Sequence, residues 1–68
     1  MRTGTLKWFD EAKGYGFISP SDGGEDVFVR KSAFHDAGVG VSQGQSLTFE
    51  VVRTDEGLQA QSLSSAHS

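Results

Sequence analysis

The chain contains no cysteine, which excludes a disulfide staple and any thiolate-ligated metal site. That absence suits a reducing compartment, and the expected location is the cytoplasm. Proline occurs once, at Pro20, and tryptophan once, at Trp8. No apolar run approaches the roughly 20 residues of a membrane span, and MRTGTLKWFD lacks the pattern of a secretory signal. Helical patterning is scarce as well: no segment sustains an apolar 3.6-residue period over the ~10 residues that a helix needs. With 68 residues there is room for one small domain, which buries only roughly 60% of its unfolded surface.

Residue constellations for catalysis or metal binding are missing too. His35 and His67 are the only histidines and no cysteine accompanies them, so both read as solvated surface residues. Asp10-Glu11 and Glu25-Asp26 are acidic pairs, but catalytic carboxylates must face each other across a cleft, and adjacent turn residues do not. SDGGED has a superficial likeness to a calcium loop without its regular acidic order or closing glutamate. No serine lies in a nucleophile motif. The expectation is a protein that is not an enzyme and uses no metal, cofactor or small-molecule substrate.

What is present is glycine, charge and aromatics in close company. Nine glycines punctuate the chain. The net charge is −3 with a pI near 5.1, which by itself argues against a nucleic-acid partner. The distribution argues otherwise. Of the six basic residues, Lys7, Lys13, Arg30 and Lys31 lie close to aromatics.

A period of two organises most of the sequence. Gly4 to Phe9 reads as a first strand and Gly14 to Ser19 as a second. Pro20-Ser21-Asp22-Gly23-Gly24 is a dense turn signal, and Asp26 to Arg30 a third strand with alternating β-branched residues. SAFHDAG suits one helical turn and GVGVSQGQ a flexible loop. SLTFEVVR, from Ser46 to Arg53, alternates most clearly, and Leu58 to Leu63 is a weaker last strand. The expected fold is all-β: a small five-stranded antiparallel barrel of OB type over residues 1–64, with a frayed tail at 65–68. Closure into a barrel removes exposed strand edges. An SH3-like barrel has similar strand content.

Alternation also assigns faces. If Val27 and Val29 are core, Phe28 and Arg30 point to solvent. If Ile18 is core, so do Tyr15 and Phe17, while Gly14 and Gly16 occupy a crowded inner face that excludes a Cβ. Trp8 and Phe9 are adjacent, so one ring is core or the strand carries a bulge. A platform of rings with interspersed cations is what single-stranded nucleic acid requires: bases stack on the rings while cations follow the phosphates.

GTLKWFDEAKGYGFISPSDGGEDVFV resembles the bacterial cold-shock proteins, and the resemblance continues through SAF and GQSLTFEVV to about Ser64. KGYGFI is similar to the family's first ribonucleoprotein motif and Val27-Phe28-Val29-Arg30 to its second. The resemblance implies an OB barrel that binds single-stranded RNA or DNA, often pyrimidine-rich, as a nucleic-acid chaperone. Matched by position, Lys7, Trp8, Phe9, Lys13, Tyr15, Phe17, Asp26 and Phe28 fall on the binding surface, and Asp10 supplies a base-edge hydrogen bond. The second motif departs from the family by ending in Arg30-Lys31 rather than histidine and an aromatic. That trades a stacking ring for two charges at the same surface. The loop from His35 to Ser46 has no aromatic, and Glu56 stands where the family often has a basic residue. Binding weaker than a typical member's is expected, by a monomer. The glycine-containing connection from Gly38 to Gly44 also leaves room for a strand-exchanged dimer. The rival expectation is a protein-interaction module that uses the same aromatic face.

Overall fold

A computed structural model describes residues 2–65. Its strands follow the two-residue alternation: β1 is Arg2–Asp10, β2 Tyr15–Pro20, β3 Val27–Arg30, β4 Ser46–Thr54 and β5 Gly57–Ser65. One helix, α1, spans Lys31–Ala37. The inward positions Leu6, Ile18, Val27, Val29, Leu47, Phe49, Ala60 and Leu63 meet in one core, which Phe34 of α1 completes. Burying such side chains is the principal driving force for closing the barrel, about 1.5–3 kcal/mol for each large one.

The strands close in the order β1-β2-β3-β5-β4. Four of the five contacts are antiparallel, but β3 meets β5 in parallel, through the single pair Phe28 and Gln59. The expectation of a wholly antiparallel barrel is therefore corrected. β3 and β5 are separated by α1 and β4, and that return path brings β5 alongside β3 in the same direction.

Two bulges break the period. In β1 the register passes from Leu6–Ile18 directly to Trp8–Phe17, leaving Lys7 unpaired. In β5 the register shifts opposite Phe49, where Ser62 adopts φ 54°. Strict alternation cannot bury both Ala60 and Leu63, three residues apart; an extra residue at Ser62 lets both reach the core.

The connection after α1 is better anchored than a flexible loop. Gly38 takes the left-handed conformation at the helix end, with φ 69°, a position that favours glycine. Val39 and Val41 pack on the core. The Leu6 N–H donates to the Gln45 carbonyl and the Gly44 N–H to the Leu6 carbonyl, each at 2.9 Å. The segment is thus tied to β1 just before the Lys7 bulge. At the other end of the chain β5 runs on to Ser65, past the expected end at Leu63. The rest of the expected tail, residues 66–68 with His67, lies outside the described residues.

Candidate nucleic-acid interface

Strand register builds the site. Trp8 pairs with Phe17, and Phe17 with Phe28, so one row of rings crosses β1, β2 and β3. Asp10, Tyr15 and Arg30 form the next row. Ring centroids stand 5.4 Å apart for Trp8–Phe17, 5.7 Å for Phe17–Phe28, 5.3 Å for Tyr15–Phe28 and 5.8 Å for Trp8–Tyr15. The Trp8–Tyr15, Tyr15–Phe28 and Phe17–Phe28 pairs, at 70–72°, stand edge to face, the arrangement that the aromatic quadrupole favours, while Trp8 and Phe17 are tilted at 52°. Each ring shields its neighbours, so Tyr15, Phe17 and Phe28 are half-buried, while Trp8 remains 37% exposed.

Phe9 stands apart from this cluster. Its ring packs edge-on against Phe34 of the core, at 5.5 Å and 84°. Both alternatives for the Trp8-Phe9 pair therefore hold at once: the Lys7 bulge turns Trp8 outward, and Phe9 follows on the inner side. Phe9 is half-buried like Tyr15, Phe17 and Phe28, but its ring packs against Phe34 and not against theirs.

Gly16 explains how Phe9 fits. The two residues are cross-strand partners, and a Cβ on Gly16 would collide with the Trp8 carbonyl oxygen and lie 2.8 Å from Phe9 Cδ1. The crowded inner face is real at Gly16. Gly14 is different: it sits in the β1–β2 turn with φ 79°, and the nearest atom to an added Cβ is 3.9 Å away. Its requirement is conformational, not steric, which corrects the expectation of a shared role for the two glycines.

The acidic candidates already have partners. Asp10 Oδ1 accepts a hydrogen bond from the Lys13 backbone N–H at 3.1 Å, and the Asp10 carbonyl accepts one from the Gly14 N–H at 2.7 Å, which closes the turn. Asp26 Oδ2 lies 3.0 Å from Lys7 Nζ. Arg30 lies 3.8 Å from Glu56 and holds its guanidinium carbon 5.4 Å from the centre of the Phe28 ring. The side chains of both ion pairs are substantially exposed, so each pair contributes at most about 1 kcal/mol to stability. Lys13 and Lys31 form no ion pair among the described residues, and the Lys31 N–H donates to the Gly14 carbonyl at 2.8 Å. That bond joins the start of α1 to the β1–β2 turn and gathers both lysines at the Tyr15 end of the rings.

Sequence reasoning missed that Glu56 meets Arg30. Their separation of 26 positions hides the contact, which depends on the β4–β5 turn folding back towards β3. The SDGG turn lies away from the rings and has a structural task. Asp22 accepts hydrogen bonds from the Gly24 N–H at 3.0 Å and from Arg2 at 2.9 Å. These bonds, the Gly24 one foremost, hold its carboxyl below the ordinary value of 3.8. No cluster of three or more metal-ligating side chains occurs among the described residues. Nor is any described helix long and apolar enough to cross a membrane.

An exposed indole, three half-buried rings and a cationic margin on one sheet face match what stacking of unpaired bases needs. Comparison with known proteins shows the family. The 'Cold-shock' DNA-binding domain family matches residues 2–66. A cold shock-like protein CspA of Stigmatella aurantiaca is 53% identical over 66 residues, covering 96% of this chain and 97% of its own length. The cold shock-like protein CspLB of Listeria monocytogenes is 48% identical over 62 residues, with 90% and 92% covered. A lin-28 homolog of Drosophila melanogaster is 43% identical over 98% of this chain, which spans 35% of that longer protein. The chain belongs to the cold-shock domain family, whose members generally bind nucleic acid.

Proposed function

We propose that the protein binds single-stranded RNA or DNA, pyrimidine-rich by preference, and acts as a nucleic-acid chaperone that keeps the strand unpaired. The observation that carries this reading is the Trp8–Phe17–Phe28 row with Tyr15 beside it. Bases stacked on such rings contribute about 1–3 kcal/mol each by alanine substitution, and a duplex hides the base faces that this requires. Lys7, Lys13, Arg30 and Lys31 steer phosphates from the margins, and Asp10 and Asp26 offer acceptors to base edges. Phe9 acts from behind, by fixing the strand that displays Trp8. The working form is a monomer in the cytoplasm, without cofactor or catalysis. An open surface with half its cations engaged by carboxylates releases its ligand readily, as a chaperone must.

A second reading, a protein-interaction module on the same face, draws on those engaged cations: Lys7 is held by Asp26 and Arg30 by Glu56, on a chain of net charge −3. Salt separates the two. Binding of a fluorescein-labelled oligothymidine should weaken as salt rises, with a log–log slope of about −0.7 for each phosphate neutralised. A binding signal that ignores salt, or none, would favour the protein partner.

A further inference from the structure

The ring row does not stop at β3. Phe28 pairs onward with Gln59 of β5, the single point where these strands meet. Beyond that pair β5 keeps β4 on one edge, but its other edge faces α1 across a groove of about 480 Å³. That volume lies within the range of about 300–1,000 Å³ typical of small-ligand sites. Arg30, Ser32, Asp36, Gln59, Gln61 and Ser62 supply its polar lining. Arg30 belongs to both places, because the same side chain that borders the groove lies over the Phe28 ring.

The chemistry of the lining selects what can enter. The Gln59 and Gln61 amides each donate and accept, as do the Ser32 and Ser62 hydroxyls, whereas the Asp36 carboxylate only accepts. Arg30 at the ring end of the lining attracts a phosphate, whereas Asp36 on α1 repels one deeper in the groove. A neutral base edge is not repelled there, and a carboxylate beside amides suits a base that carries an exocyclic amino group, as cytosine does. Ser62, in its left-handed bulge, borders the groove that its backbone turn helps to shape.

We propose that this groove is an additional subsite for one terminal, amino-bearing base of a bound single strand, and that Arg30 meets the phosphate at the crossing from the rings. The inference rests on the single-strand reading above and extends its track from Gln59 to the α1 side of β5. Asp36 and Gln61, both exposed, discriminate at that end without contributing to stacking on the rings.

The test compares three labelled octamers: octathymidine, and the same octamer with a terminal thymidine replaced by deoxycytidine at the 5′ or the 3′ end. Each is titrated against the wild-type chain and against an Asp36→Ala, Gln61→Ala double variant. One of the cytidine-ended octamers should bind the wild type about tenfold more tightly than octathymidine, the scale of one good base-edge contact. The double variant should bind all three alike, with its octathymidine affinity unchanged. Equal affinities in a wild type that binds octathymidine would overturn the subsite, as would a preference that the double variant retains. Failure of the wild type to bind octathymidine would instead overturn the single-strand reading itself.

Discussion

Gly16 and Phe9 are cross-strand partners that share one space: a methyl group on Gly16 would stand 2.8 Å from Phe9 Cδ1 and strike the Trp8 carbonyl. The glycine in the middle of KGYGF is therefore what allows Phe9 to lean inward and Trp8 to face out. Gly16→Ala should destabilise the fold by about 1–3 kcal/mol, the usual cost of overpacking. Gly40 provides the contrast, since nothing lies within 4 Å of its added Cβ and its φ is not left-handed. Gly40→Ala should be neutral or stabilising, by up to about 1 kcal/mol through the unfolded chain. Urea midpoints of the two variants check both statements.

Phe17 sits at the centre of the ring row, while Phe34 is fully inside the core. Phe17→Ala should cost about 1–3 kcal/mol of oligothymidine binding while the barrel remains folded. Phe34→Ala should cost about 3–5 kcal/mol of folding stability. Thermal melts paired with binding titrations separate the two effects. Equal losses of stability would mean that Phe17 is a core residue after all.

Glu56 lies 3.8 Å from Arg30, so on the single-strand reading it competes with phosphate for that guanidinium. Glu56→Gln should therefore strengthen oligothymidine binding a few-fold at low salt. The salt slope should steepen by up to about 0.7, the contribution of one additional phosphate contact on a single strand. An unchanged slope would show that Arg30 is not on the phosphate path.

Much of this surface is legible in the sequence because alternation is a strong constraint. Val27 and Val29 could not both be core without turning Phe28 outward, and Ile18 did the same for Tyr15 and Phe17. Where the period breaks, legibility ends. The Lys7 bulge let Trp8 and Phe9 take opposite sides, and Lys7 carries no sign of it. Ser62 gives no warning either, since a serine at φ 54° looks like any other strand serine. Gly14 is ambiguous for a related reason: glycine serves both a crowded face and a left-handed turn, and only the backbone separates them. The parallel β3–β5 contact and the Arg30–Glu56 pair join residues with no local turn chemistry to announce them.

Trp8 gives the most direct measurement, because it is the one tryptophan and lies at the exposed end of the ring row. Its fluorescence should be strongly quenched by a short oligothymidine, saturably, and with weaker affinity as salt rises. An unchanged Trp8 signal at low salt, from a chain shown to be folded, would contradict base stacking on this face and with it the single-strand function.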